Sequence, residues 1–272
     1  MGVLNVTPDS FSDGGRYLRL EDAVARGLEM AAEGADLVDV GGESTRPGAE
    51  EVPEDEERRR VVPVVEALAG RVRLSVDTRH ESVARAAVRA GATLVNDVSG
   101  RLFGVAADEG AGWVGLHMQG TPADMQRDPR YGDVVAEVRG FLVALTDRAH
   151  AAGVPEVWVD PGIGFGKTAA HNLALLAALS EMAADAAEHD AGLLVGTSRK
   201  GFLSAFGARP GAPRPVDDRL EASLATAVWA MSQGAGMVRV HDVAPTVQAS
   251  HLVGPPGSAV RGEPRVLAGP RS

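Results

Sequence analysis

The chain alternates short β-rich apolar runs with longer Ala, Leu and Val segments in which apolar residues recur with a helical period. This alternation is typical of parallel strands joined by crossover helices. It predicts strands over residues 2–6, 36–41, 73–77, 93–97, 113–118, 156–160, 193–196 and 237–241. It predicts amphipathic helices over residues 20–33, 54–68, 81–90, 133–152, 172–188 and 219–233. Eight strands suit a closed barrel, so we predict an α/β fold, a single-domain (β/α)₈ TIM barrel over residues 1–253.

Four segments of unusual composition directly follow predicted strands, at residues 7–17, 43–52, 120–131 and 161–171. In a parallel barrel such segments are the loops of the carboxyl-terminal face, where ligands bind. Residues 206–218 are predicted to form a surface loop, and 254–272 a disordered C-terminal tail, because both are rich in Gly, Pro or Arg and lack periodicity.

Composition narrows the classes of function. A formal net charge of -10 argues against nucleic-acid binding, which needs clustered Lys and Arg, so any anionic ligand must be held by a local site. The absence of cysteine excludes disulfides, thiolate zinc sites and a cysteine nucleophile. No apolar run reaches the roughly 18 residues of a membrane span, and we predict a soluble cytoplasmic protein.

Polar residues end nearly every predicted strand or lie beside its end. Each one taken alone is as well explained by helix capping or a turn. A whole ring of them at a barrel mouth is costly unless the groups serve a ligand or one another, so together they predict a polar ligand. The residues are Asn5, Asp39, Asp77, Asn96 with Asp97, His117, Asp160, Ser198 with Lys200, and Arg239 with His241.

The ring divides by chemistry. Arg239 and His241 suit an anion, and Asn5 offers an oxygen ligand for Mg²⁺, which also borrows phosphate oxygens. A second group suits a flat heterocycle with amino and oxo substituents, because carboxylates accept N–H bonds and lysine donates them. That group is Asp77, Asn96, Asp160 and Lys200.

The glycine-rich run DPGIGFGKT at residues 160–168 resembles a phosphate-binding loop, but its spacing fits neither the P-loop nor the dinucleotide fingerprint. We favour a tight turn in which Gly162, Gly164 and Gly166 allow close backbone approach. A nucleotide-binding function would rest on this run alone.

With these positions located, the sequence resembles the dihydropteroate synthases from its first residues to about position 251. The resemblance rests on eight motifs in the family's order. They are GVLNVTPDSFSDGG (2–15), DVGGESTRPGA (39–49), SVDT (75–78), NDVSG (96–100), HMQGTP (117–122), DPGIGFGKT (160–168), TSRKGF (197–202) and RVHDV (239–243).

The resemblance implies condensation of 4-aminobenzoate with (7,8-dihydropterin-6-yl)methyl diphosphate, giving 7,8-dihydropteroate and pyrophosphate in folate biosynthesis. It implies a magnesium cofactor, a homodimer, sensitivity to sulfonamides, and catalysis by electrostatics rather than a covalent intermediate. The implied catalytic residues are Asp77, Asp160, Lys200, Arg239 and His241.

The resemblance also assigns binding roles. Met118 would pack on the pterin ring beside Asp77, Asn96, Asp160 and Lys200, and Arg239 would stack over its other face. Asn5, Arg239 and His241 would bind the diphosphate, with Asn5 as the magnesium ligand. The aminobenzoate pocket and its closing loops would use Phe11, Asp13, Thr45, Arg46, Pro47 and Ser198.

Two alternatives remain open from the sequence. One is a methyltetrahydrofolate-binding methyltransferase domain on the same barrel, which the residues 7–15 and 44–48 and the RVHDV strand disfavour, since a methyl donor has no diphosphate to hold. The other is a non-catalytic pterin-binding paralogue, which would bind pterin without forming dihydropteroate.

Overall fold

The computed structural model describes residues 1–6, 20–43, 51–121, 124–205, 215 and 218–253. Eight parallel strands follow one another around a single sheet in chain order. Hydrogen bonds from Val3 N to Val240 O (2.9 Å) and from Val240 N to Met1 O (2.9 Å) join the last strand to the first and close the barrel. The predicted fold class is confirmed. The strands are β1 (Gly2–Asn5), β2 (Leu37–Gly41), β3 (Arg73–Asp77), β4 (Leu94–Asp97), β5 (Gly112–Leu116), β6 (Val157–Asp160), β7 (Gly192–Val195) and β8 (Met237–Val238).

Helices cover the outside of the barrel. The six predicted segments are helical, but the segment predicted as one helix over 172–188 is two helices that meet at Ala178. Two further helices, Phe103–Glu109 and Val243–Val253, were not predicted. The helices are α1 (Leu20–Ala32), α2 (Glu54–Leu68), α3 (Glu81–Ala90), α4 (Phe103–Glu109), α5 (Val134–Ala151), α6 (Ala169–Ala177), α7 (Leu179–Glu188), α8 (Leu220–Ser232) and α9 (Val243–Val253).

Two predicted strands end more than one residue too late. β5 ends at Leu116, so His117 and Met118 belong to the following loop. β8 spans two residues, so Arg239 and His241 lie beyond it, although Arg239 N still donates to Val195 O of β7 at 3.0 Å. In both places the regular strand pairing ends before the chain reaches the barrel mouth.

The barrel interior is filled with side chains in its amino-terminal half. Met1, Leu37, Leu94, Val114 and Leu194 form a buried cluster there. The larger apolar clusters lie between the strands and the surrounding helices, which explains why the strands read as nearly continuous apolar runs. Within the described residues this cluster fills the amino-terminal half, so the space for a ligand lies at the carboxyl-terminal face.

None of the described helices combines the length and hydropathy of a membrane span. The predicted surface loop at 206–218 falls almost entirely, and the predicted tail at 254–272 wholly, outside the described residues.

Candidate active site

A cavity of about 570 Å³ opens at the carboxyl ends of the strands. Its volume is that of a pocket for a small organic ligand. Eight of the predicted site residues line it together, although they come from six strand ends spread over the whole chain. They are Asn5, Asp77, Asn96, Asp160, Ser198, Lys200, Arg239 and His241.

Arg239 is held from below by two carboxylates. Its Nε donates to Asp39 Oδ2 at 2.6 Å and its NH2 donates to Asp77 Oδ2 at 2.7 Å. Asp39 Oδ2 also accepts the Asn96 side-chain N–H at 2.8 Å. Asp39 is completely buried, and it therefore connects two cavity residues without lining the cavity. The sequence placed Asp39 in the polar ring but assigned it no role.

The Asp77 carboxyl is strongly perturbed by its surroundings. Burial raises its pKa to about 7, with the Arg239 guanidinium opposing the shift and the Asp39 carboxylate adding to it. Only one of its oxygens is occupied by Arg239, so the other remains available to a ligand donor.

Asp160 and Lys200 face each other across Gly196. A Cβ at Gly196 would lie 3.7 Å from Asp160 Oδ2 and 3.9 Å from Lys200 Nζ, so the glycine leaves the space between them open. Burial raises the pKa of Asp160 and lowers that of Lys200 to about 8. Lys200 Nζ donates to the Ile163 carbonyl and lies 4.5 Å from the centre of the Phe165 ring.

The loop after β6 packs its backbone directly on the residues that follow β5. Gly162 has φ +66°, and a Cβ there would be 1.8 Å from His117 O. Gly166 has φ +60°, and its Cβ would be 2.3 Å from Gln119 O. The reading of these glycines as a close-approach turn is confirmed. The Gly162 N–H donates to Asp160 Oδ1 at 2.7 Å, so the turn also orients a cavity carboxylate.

Lys167, which lines the cavity, forms a buried pair with His117. The sequence analysis placed His117 in the polar ring without a specific role and did not identify Lys167. Lys167 Nζ lies 2.9 Å from His117 Nδ1 and donates to His117 O at 3.2 Å and Phe165 O at 3.0 Å. Burial lowers the pKa of Lys167 to about 7 and that of His117 to about 4. A compositional signal was present, because the chain has 25 arginines but only two lysines, 167 and 200.

Ser198 and His241 meet at the opposite side of the cavity. Ser198 Oγ accepts the His241 backbone N–H at 3.1 Å and contacts His241 Nδ1 at 3.0 Å. Between Ser198 and Lys200, Arg199 takes a left-handed conformation with φ +57°. Its side chain is held by Asp242 at 3.0 Å, and this turn places both Ser198 and Lys200 in the cavity wall.

The apolar wall differs from the prediction. Within the described part of the chain, Leu116, Met125 and Phe165 contribute to the lining, whereas Met118 does not. Met118 lies in the loop that follows β5, beyond the strand that positions Leu116. The predicted loop residues Phe11, Asp13, Thr45, Arg46 and Pro47 lie outside the residues that the structure describes.

Asp97 fixes a turn, which is the structural role that the sequence analysis gave as the alternative explanation for each residue of the polar ring. Its carboxylate accepts the backbone N–H groups of Ser99, Arg101 and Leu102 at 2.6–2.9 Å and the Trp113 indole N–H at 3.1 Å. These bonds fix the turn that leads into α4, and Asp97 does not line the cavity.

The cavity is locally basic in an acidic protein. Among its described lining residues there are five Lys or Arg side chains and three carboxylates. The cations are Lys167, Arg199, Lys200, Arg219 and Arg239. A basic surface of this kind attracts an anionic ligand despite a formal net charge of -10.

Comparison with known proteins agrees with this geometry. Residues 1–241 match the family described as pterin binding enzymes. The dihydropteroate synthase of Mycobacterium leprae is 48% identical, over 93% of this chain and 92% of that protein. The structure of the Yersinia pestis dihydropteroate synthase with a sulfonamide drug complex superimposes with a TM-score of 0.83 at 45% identity, covering 93% of this chain and 91% of that one. The Xanthomonas albilineans dihydropteroate synthase in complex with 7,8-dihydropteroate gives a TM-score of 0.79 at 43% identity, with 91% and 89% covered. The chain therefore belongs to the pterin-binding enzymes, and among these to the dihydropteroate synthases.

Proposed function

We propose that this cavity binds (7,8-dihydropterin-6-yl)methyl diphosphate and 4-aminobenzoate and releases 7,8-dihydropteroate and pyrophosphate. The observation that carries the proposal is the convergence of two kinds of group in one cavity. One side offers Asp77, Asn96, Asp160 and Lys200, and the other offers a basic surface that includes Arg239. A related enzyme solved with 7,8-dihydropteroate supports the identity of the product.

The pterin would lie between Asp77 and Lys200. The 2-amino group and ring N–H of a pterin are donors, which the carboxylates of Asp77 and Asp160 can accept, while Lys200 donates to the ring oxygen or nitrogen. Leu116 and Phe165 supply apolar contacts for the ring. Arg239, anchored by Asp39 and Asp77, would cover the other face of the ring.

The diphosphate would lie toward Arg239, His241 and Asn5, and magnesium fits this end. Asn5 presents a side-chain amide at the cavity wall, and its oxygen is a hard ligand of the kind Mg²⁺ takes in small number beside phosphate oxygens and water. Glu43, Glu57 and His80 form the only described three-residue group able to chelate a cation by itself, and Arg79 already binds both Glu43 oxygens. When bound, magnesium would neutralise charge on the pyrophosphate.

The reaction breaks the bond between the methylene carbon and a diphosphate oxygen and forms a bond from that carbon to the arylamine nitrogen. The bonding pair leaves with pyrophosphate, and the amine loses one proton. Asp77 and Asp160 would stabilise positive charge that develops on the dihydropterin, and Arg239 with His241 would stabilise the departing anion. The arylamine is already nucleophilic and needs positioning more than activation.

We also propose a homodimer that uses the exposed apolar face of α6 and α8. Leu173, Leu220 and Trp229 are 46%, 38% and 47% exposed, which is high for large apolar side chains. Trp229 is not loose, because its indole N–H donates to Leu176 O at 2.7 Å. Light scattering should give twice the chain mass for the wild type and a lower mass for Trp229→Glu; a wild-type monomer would refute this assembly.

Inhibition by sulfonamides and the cellular location are two further proposals. We propose that sulfonamides compete with 4-aminobenzoate, which is consistent with the sulfonamide drug complex of the Yersinia pestis relative, and that the enzyme acts in the cytoplasm. Inhibition by a sulfonamide should be overcome by added 4-aminobenzoate. Inhibition that does not depend on the aminobenzoate concentration would contradict competition.

The direct test of the reaction is to incubate the wild-type protein with both substrates and magnesium and to measure dihydropteroate and pyrophosphate together. We expect equal amounts of the two products and loss of both when a chelator replaces magnesium. Binding of the pterin without either product would instead identify a non-catalytic paralogue.

A further inference from the structure

We propose that Lys167 is a positioning residue of the pterin pocket, whose ammonium group joins the start of the loop after β5 to the loop after β6 and thereby fixes Phe165 against Lys200. The substrate in this proposal is taken from the proposed function, whereas the contacts of Lys167 do not depend on that function. Lys167 is 2% exposed, which is rare for a lysine without a carboxylate bonded to it.

Three acceptors surround Lys167 Nζ, and an ammonium group has three protons. Two acceptors, His117 O and His117 Nδ1, belong to the residue that follows β5, and the third, Phe165 O, belongs to the loop after β6. All three lie at 2.9–3.2 Å. One side chain thus connects two segments that are 50 residues apart and form adjacent parts of the cavity wall.

This arrangement determines the state of His117. Since the ammonium group can only donate, His117 Nδ1 must be an unprotonated acceptor and the ring proton must lie on Nε2. Burial and the nearby Lys167 charge lower the pKa of His117 to about 4, in agreement with a neutral ring. The ring is further fixed edge-on to Phe141, with the ring centres 4.8 Å apart.

The connection reaches the pterin pocket through Phe165. Lys167 holds the carbonyl of Phe165, and the ring of the same residue lies 4.5 Å from Lys200 Nζ in the cavity. Lys200 Nζ also donates to the carbonyl of Ile163, in the same loop. Displacement of the loop would therefore move two of the contacts that orient Lys200.

Lys167 also contributes a charge to the pocket. The charged or titratable groups that face it are His117 after β5, Asp160 at the end of β6, Lys200 after β7, and Tyr131, whose ring centre is 6.0 Å from Nζ. Burial and the Lys200 charge lower the pKa of Lys167, and Asp160 opposes them. By reciprocity, the positive charge of Lys167 favours ionised Asp160 and disfavours protonated Lys200.

The presence of lysine at position 167 is informative because nearly all other long basic side chains in this protein are arginines. Only positions 167 and 200 are lysine, against 25 arginines. A guanidinium is a flat fork and cannot direct three protons to acceptors arranged around one nitrogen. We expect Lys167→Arg to fail as a substitute for this reason.

The test uses selective ¹³C,¹⁵N-lysine labelling, which gives only two lysine signals in this chain. In the wild type, the Lys167 signal should titrate near its pKa of about 7, and Lys167→Met identifies it by its absence. In Lys167→Met the Lys200 midpoint should rise, since a nearby positive charge is lost. A Lys200 midpoint that is the same in Lys167→Met as in the wild type would show that Lys167 does not act on Lys200.

Kinetics separate positioning from general stability. In both Lys167→Met and Lys167→Arg, KM for the dihydropterin diphosphate should rise by about ten- to a hundredfold, the effect of losing one or two hydrogen bonds to a charged group, while KM for 4-aminobenzoate stays within about twofold. Tyr131→Phe is the matched control, because it removes another bond to the same loop, Tyr131 OH to Gly166 O at 2.8 Å, without changing charge. It should leave the Lys200 midpoint unchanged.

Two results would contradict the proposal. In one, Lys167→Met lowers only the melting temperature, with KM and the Lys200 midpoint both unchanged. In the other, Lys167→Arg restores the wild-type KM. The lysine titration and calorimetric binding of the dihydropterin diphosphate require no turnover. A protein that meets those expectations but forms no dihydropteroate would therefore refute the proposed reaction and not the role of Lys167.

Discussion

Replacement of Gly162 by alanine should disrupt the cavity wall far more than its single methyl group suggests. The residue has φ +66°, and its added Cβ would lie 1.8 Å from His117 O and 2.9 Å from His117 C. Both colliding partners are backbone atoms, so no side-chain rotation can relieve the contact. The loop after β6 and the start of the loop after β5 must then separate by more than about 1 Å in a closely packed region.

The magnitude follows from two costs. A left-handed conformation costs an alanine about 1–2 kcal/mol, and an overpacked contact costs about 1–3 kcal/mol, giving roughly 2–5 kcal/mol of lost unfolding free energy. For a domain of this size the melting temperature should fall by roughly 4–20 °C. Because the Gly162 N–H donates to Asp160 Oδ1, KM for the dihydropterin diphosphate should also rise.

Urea unfolding followed by circular dichroism measures the stability change, and Gly104→Ala is the matched control. Gly104 lies in the first turn of α4 with nothing within 4 Å of its Cβ position, so the same substitution should not destabilise the protein. A Gly162→Ala protein as stable as the wild type would refute the close packing of the two backbones.

Three further outcomes are expected. Asp39→Asn should raise KM for the dihydropterin diphosphate and lower stability by about 1–3 kcal/mol, because the buried Arg239 loses a charged partner; unchanged urea unfolding would contradict this. Affinity for the dihydropterin diphosphate should fall as pH rises through about 8, because burial lowers the pKa of Lys200 to about 8 and the side chain loses its charge above it. Calorimetry at several pH values measures this affinity, and a constant affinity up to about pH 10 would contradict the prediction. Asp97→Ala should lower the melting temperature because it leaves three backbone N–H groups and the Trp113 indole without their acceptor, and a calorimetric scan that shows no decrease would remove its structural role.

The barrel was predictable because each strand is a short apolar run and most helices are long and periodic. The helix α4 was missed because seven residues carry too little periodic signal, and the break at Ala178 lies within a continuous apolar pattern. The short β8 was overestimated because Val240 continues the apolar alternation although only an isolated bridge joins it to Gly2.

The site was predictable to the extent that parallel strands bring their carboxyl ends together. That rule brought Asp77, Asn96, Asp160 and Arg239 to one cavity, but it does not give the depth of a side chain. Asp39 lies beneath the cavity, whereas Asp77 on the neighbouring strand lines the cavity. In the sequence, both are aspartates in predicted strands, so their depths could not be distinguished. Lys167 was missed because its partner His117 is 50 residues away and only the folded loop joins them.

The central claim is that this cavity carries out the condensation, and paired rate measurements test it most directly. Magnesium-dependent dihydropteroate formation should be compared for the wild type, Asp160→Asn, Lys200→Met and the surface control Asp108→Asn, whose side chain is 64% exposed on α4. We expect the two cavity variants to lose at least about a hundredfold in kcat/KM, equivalent to a loss of about 2.7 kcal/mol, while Asp108→Asn retains the wild-type rate. Wild-type rates in both cavity variants would contradict the assignment of the chemistry to this cavity.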